Sequence, residues 1–175
     1  MDDASGRQAG SVILGIDPGL NITGYGLIQV GQENPLLLEA GVVRGGSRKP
    51  IEQRLEKIHD GVSEVIRQHR PMAIAVEELY SNYRMPRTAI LMGHARGVIC
   101  LAASQHGIPV FHYAATQVKK VLTGNGRASK EQVQDAISRE FGLTATPEPA
   151  DVADALAIAL CHHYLGWNTR LGNAC

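Results

Sequence analysis

Four carboxylates in this sequence stand where they could do chemistry together. Asp17 closes the apolar run Val12-Ile13-Leu14-Gly15-Ile16, and Glu77 closes the run from Met72 to Val76. Each therefore falls at the carboxyl end of a buried strand, the edge at which open α/β sheets hold their functional groups. Asp151 and Asp154 lie three residues apart, among the small residues Ala150, Ala153 and Ala155. That spacing puts both acids on one face of a helix, and the small neighbours let the face pack closely. Taken singly, each acid has a plainer use: Asp17 as a turn residue before Pro18-Gly19, Asp151 and Asp154 as partners of the helix macrodipole. Taken together, four acids at one sheet edge repel one another unless cations neutralise them. Hard oxygen donors of this kind suit Mg²⁺, with Mn²⁺ as a substitute. Two such ions about 4 Å apart can activate water and stabilise the leaving oxygen in phosphodiester hydrolysis.

The elements that would position these acids can be read from hydrophobic period. After the first strand, residues 23–30 and 35–43 have the character of further strands separated by Gly and Asn turn signals, which predicts an antiparallel meander. Ile51, Leu55, Ile58, Val62 and Ile66 recur at helical spacing up to His69, with Pro71 as the stop. A strand at residues 72–76, a helix at 87–105 and a strand at 108–113 follow, then helices at 116–122, 129–141 and 150–164. Ser129 with Gln132 three residues on forms a capping-box signature. This order predicts an α/β fold in which the later strands are parallel, joined by helical crossovers, with helices on both sheet faces. Gly93 and Gly97 share one helix face, which either packs on the sheet or serves a symmetric helix–helix contact between two copies.

The chain has 175 residues, 44% of them hydrophobic, with 17 Lys and Arg against 17 Asp and Glu. That length and composition predict one globular domain over residues 11–175, preceded by a flexible tail over residues 1–10. The longest nearly apolar stretch, Val152 to Leu160, is interrupted by Asp154 and is far shorter than the ~20 residues of a bilayer span. No secretory signal is visible at the start, so the expectation is a cytoplasmic protein with no membrane association. Cys100, Cys161 and Cys175 have no metal-ligand spacing and read as thiols rather than a disulfide framework, and Cys161-His162-His163 reads as a helix end rather than a zinc site. The balanced net charge hides a segregation: residues 79–130 carry seven basic residues and no acidic one. Arg84, Arg87, Arg96, Lys119, Lys120, Arg127 and Lys130 are interleaved there with Tyr80, Tyr83, His94, His106, His112 and Tyr113. Such a segment beside an acidic site suggests a polyanion footprint.

Several blocks carry a resemblance. Ile13-Leu14-Gly15-Ile16-Asp17-Pro18-Gly19 with Thr23-Gly24-Tyr25-Gly26, then Ala75-Val76-Glu77-Glu78-Leu79-Tyr80, resemble the first two acidic strands of the RuvC family of Holliday junction resolvases, in the ribonuclease H-like superfamily. Gln117-Val118-Lys119-Lys120, Gly124-Asn125-Gly126 and Ser129-Lys130 are similar to that family's basic segment, and residues 150–157 to its final catalytic helix. The resemblance runs in order from Val12 to His163. It implies a mixed five-stranded sheet, three antiparallel strands followed by two parallel, and a homodimer that cuts four-way DNA junctions by paired symmetric nicks. It also implies Asp17, Glu77, Asp151 and Asp154 as catalytic metal ligands for two ions. Lys119 and Lys130 would stand near the scissile phosphate, and Tyr80 in the position that stacks on junction bases. Arg84, Arg87, Lys120 and Arg127 would be further DNA contacts, and the branch-migration proteins RuvA and RuvB partners. A sugar-kinase-like or actin-like ATPase shares the Gly15–Gly19 pattern, but it needs roughly twice this length and a second phosphate loop. A ribosomal-RNA-processing relative matches residues 151–155 less well, and a non-catalytic DNA-binding module would have no use for all four acids.

Overall fold

In the computed structural model, which describes residues 10–30, 34–79 and 86–165, the first apolar run is the centre of a five-stranded sheet. β1 (Val12–Asp17) pairs antiparallel with β2 (Ile22–Gln29), and β2 antiparallel with β3 (Leu36–Arg44). On its other side β1 runs parallel to β4 (Ala73–Glu77), and β4 parallel to β5 (Val110–Tyr113). The strand order β3-β2-β1-β4-β5 is the mixed sheet expected from the sequence. α1 (Ile51–His69) and α2 (Pro86–Gln105) make the crossovers into β4 and β5, and α3 (Ala115–Thr123), α4 (Lys130–Phe141) and α5 (Ala150–Leu165) follow.

Alternation along the strands sorts side chains between two cores. Leu14, Ile16, Ile74 and Val76 face α1 and α2, whereas Ile13, Ala75 and Tyr113 face α5, with α3 and α4 closing over it. Fully burying a Leu, Ile or Val contributes about 1.5–3 kcal/mol, and these positions are all but inaccessible. Because α5 is covered on nearly every side, Val152, Ala153 and all residues from Ala155 to His163 are buried and no polar stripe remains. Its partly exposed acids are confined to the end that meets the sheet edge.

A strip of glycines sets how closely α5 approaches. A Cβ at Gly24 would lie 2.0 Å from the carbonyl oxygen of Asp151, and one at Gly15 2.1 Å from that of Ala155 and 2.8 Å from the Ala159 Cβ. At Gly26 a Cβ would meet Leu156 Cδ2 at 2.6 Å. Main chain therefore rests on main chain, which only glycine permits.

The capping box at Ser129 is present: its hydroxyl accepts from the Gln132 N–H while the Gln132 side chain accepts from the Ser129 N–H. The last strand starts at Val110 rather than at residue 108. The Ile108 N–H bonds back to Ala103 at the end of α2, and Pro109 has no N–H to give a ladder. Packing of the Gly93 and Gly97 face on the sheet is overturned. Among the described residues, a Cβ at Gly97 would meet nothing within 4 Å, and at Gly93 only Leu79 at 3.9 Å, so none of them covers this face of α2. Ile90 and Leu101 on the same helix are 60% and 50% exposed. Of the tail expected over residues 1–10, only Gly10 falls among the described residues, its N–H bonded to Val30 O; Cys175 lies outside them. No helix among the described residues is long and apolar enough to cross a membrane.

Candidate active site

Ile16 and Val76 are partners in the parallel ladder, so the residue after each, Asp17 and Glu77, leave adjacent strands at the same level. Asp17 shares a face with Gly15 and Glu77 with Ala75, the face covered by α5. In the other direction Asp17 is paired with Gly24, the residue on which the Asp151 main chain rests. The glycine that allows this approach thus delivers the first turn of α5 beside Asp17. One turn on, Asp154 faces Glu77 across a cleft of about 280 Å³ that Lys119 of α3 and Lys130 of α4 also line. A second hollow of about 490 Å³ opens on the other side of Asp17 and Glu77, toward Leu79, Thr88 and Met92.

Electrostatics report the crowding. Burial pushes the Asp17 carboxyl up from 3.8 to about 7, and repulsion from Glu77, Asp154 and Asp151 adds to the rise, with Lys130 opposing it. Glu77 is raised by burial and by Asp154, against Lys119 and Lys130. The Lys130 ammonium sits 2.9 Å from Asp154 Oδ2, and that bond together with the fields of Asp154, Asp17 and Asp151 holds it above the ordinary lysine value. The arrangement is an electronegative well in which four acids outnumber the two lysines that face them. Its donors are all carboxylate oxygens, which fits a hard divalent ion. The ligands are not yet closed around one point: among the described residues no three His, Cys, Asp or Glu side chains form a group that could hold a metal ion.

The basic segment divides. Lys119 and Lys130 reach the acids, while Lys120, Arg127 and, at the start of α2, Arg87 are exposed. Tyr80, Tyr83 and Arg84 lie outside the described residues. Arg96 is turned to His112, its guanidinium 2.7 Å from Nδ1, and burial and Arg96 both lower the His112 pKa. Tyr113 is core: its hydroxyl bonds to Nδ1 of His162 at 2.7 Å, tying the end of β5 to α5. Burial, with the neighbouring His163 adding to it, drives His162 down to about 4, which favours the neutral ring at pH 7. Neither the glycine strip nor the Tyr113–His162 tie was read from the sequence as part of the site. The run Gly15, Gly24 and Gly26 opposite the alanine-rich last helix was the available signal for the first.

Comparisons with known proteins agree on one relationship. A family model described as Crossover junction endodeoxyribonuclease RuvC matches residues 13–162. A curated protein of that name from Rhodopirellula baltica is 56% identical over 158 residues, covering 90% of this chain and 89% of its own. Among solved structures, Thermus thermophilus RuvC superposes with a TM-score of 0.82 at 39% identity, covering 89% of this chain and 95% of that one. The same Thermus protein in complex with a Holliday junction substrate gives 0.83 at 38% identity, covering 90% and 96%.

Proposed function

The chain belongs to the RuvC family of crossover junction endodeoxyribonucleases, and from that premise we propose that Asp17, Glu77, Asp151 and Asp154 are the residues with which it cuts DNA. It is a Holliday junction resolvase, a nuclease of recombination and repair. The observation that supports the residue assignment is the convergence of two strand ends and one helix start on a buried, mutually repelling acid group. The four carboxylates would hold Mg²⁺, with Mn²⁺ able to substitute, and two ions suit four acids. Bound there, the ions supply Lewis-acid polarisation of the scissile phosphate and activation of the attacking water.

The chain's own contribution is placement. Asp17 and Glu77 are fixed by the sheet ladder and Asp151 and Asp154 by the glycine strip. Lys119 and Lys130, on the far wall of the cleft, are set to stabilise charge that develops on the phosphate in the transition state. Lys120, Arg127 and Arg87, all exposed, would neutralise backbone phosphates further out, Arg84 would be another phosphate contact, and Tyr80, three residues beyond Glu77, would stack on an unpaired base.

Paired symmetric nicks need two sites related by a two-fold axis, which supports a homodimer. The face of α2 that no described residue covers, with Gly97 between exposed Ile90 and Leu101, suits a close helix–helix contact. Family membership also supports RuvA and RuvB as partners. The deciding experiment offers the protein a synthetic four-way junction and a linear duplex of the same sequence with Mg²⁺. Symmetric nicks in the junction alone are expected, and their loss in Asp151→Asn with junction binding retained. Nicking by Asp151→Asn at the wild-type rate would remove Asp151 from the site.

A further inference from the structure

Asp154 has a cation already. Lys130 Nζ lies 2.9 Å from its Oδ2, and the two side chains are only 49% and 34% exposed. Lys130 is the first residue of α4, so the capping box at Ser129 anchors its main chain while its four-carbon stem remains the moving part. Lys119 lines the same cleft and lowers Glu77, yet makes no ion pair among the described residues. Four acids gather here without forming a ready three-ligand group, and the one that carries an ion pair is the one a neighbouring ammonium holds.

Building on the metal assignment above, we propose that Lys130 is a latch: its ammonium holds Asp154 away from the ion site until a DNA phosphate draws the lysine off, so that divalent-ion binding and DNA binding promote each other. The charge accounting is direct. With the latch closed, one of the site's negative charges is spent on Lys130, and an arriving cation must compete with it. A phosphodiester near the cleft gives the ammonium a different anion. Asp154 is then released to face the ion. The coupling must be reciprocal, because whatever factor DNA adds to ion affinity, the ion adds to DNA affinity. A half-exposed pair is weak enough to exchange. An enzyme built this way loads its metal where substrate is present rather than free in solution.

The test measures Mn²⁺ affinity of the full chain without DNA by titration calorimetry. Lys130→Met is expected to bind Mn²⁺ about three- to fivefold more tightly than the wild type, the scale set by one such pair. Lys119→Met, which removes the same charge from the same cleft without breaking an ion pair, is expected to gain less. Equal gains from the two variants, or none from Lys130→Met, would overturn the latch. A second readout follows the ¹⁵N-labelled side-chain ammonium of Lys130 by NMR. Its signal, hydrogen-bonded to Asp154 in the metal-free protein, is expected to shift on adding Mg²⁺, and an unmoved signal at saturation rejects the proposal. Failure of the underlying metal assignment looks different, since then no Mn²⁺ binds with or without an uncleaved junction.

Discussion

The acids and the lysines of the cleft stand on opposite kinds of structure. Asp17 and Glu77 end strands held by ladders on both sides, and Asp151 and Asp154 open a helix whose main chain presses on glycine. Lys119 and Lys130 sit on short α3 and α4, at the ends of long flexible stems over an open groove. The main chain that carries the acids is therefore fixed, and their burial together with their mutual repulsion appears as a raised Asp17 carboxyl. The lysines can move, so they are the groups that adjust to an incoming charge. A site that must wait for cations and a polyanion is well served by rigid acids and mobile bases.

That contrast can be broken most severely at the acid mount. Gly24→Val places a branched side chain where even a Cβ would be 2.0 Å from the Asp151 carbonyl. Displacing α5 exposes much of one core, at a cost above about 3 kcal/mol. Loss of a cooperative melt, or of soluble protein, together with loss of cleavage is expected in thermal denaturation and nicking assays; a normal melting temperature would mean that the close approach is not needed.

Asp17→Asn should abolish cleavage and still stabilise the metal-free fold. The folded carboxyl titrates near 7 and the unfolded one near 3.8, so the native state prefers the protonated form. Its stabilising contribution is present below about pH 4 and is lost as pH rises through 7. Without divalent ions, Asp17→Asn should then melt higher than the wild type at pH 8, with the gap closing toward pH 5. A variant that melts lower at pH 8 would show that the acids are not straining the fold.

On the mobile side, Lys119→Ala should slow cleavage of prebound junctions about a hundredfold while changing affinity little, as seen in single-turnover kinetics. Equal losses in both would make Lys119 a phosphate contact only. The smallest effect is expected from Arg127→Ala on the exposed turn: weaker junction binding, with the slope of log affinity against log salt reduced by up to about 0.9. An unchanged slope would take Arg127 off the DNA path.

Much of this was legible in the sequence because strand ends announce themselves. Asp17 and Glu77 follow runs of buried residues, and the order of runs and helical repeats dictates which strands are parallel. Ser129 and Gln132 wrote their own cap. What stayed hidden depends on contacts between distant segments. A glycine read alone is a turn signal, and Gly15, Gly24 and Gly26 become a docking surface only when α5 lies across them. The pairing of Lys130 with Asp154 requires knowing that the starts of α4 and α5 meet. Arg96, Tyr113 and His112 counted as one basic, aromatic tract in sequence, yet strand alternation sends Tyr113 inward and His112 to Arg96 on the other side.

The seating of the last helix on the first hairpin also bears on when the protein becomes dangerous. Asp17 and Asp151 are separated by nearly the whole sequence, and the surface that joins them is made of β1, β2 and α5. A chain still on the ribosome can pair its early strands, but until its final helix has emerged it has nothing to lay across the glycines. A partly synthesised or truncated copy lacking α5 would hold only two of the four acids. Such fragments should be unable to nick DNA, so that the cutting activity arrives together with the completed fold.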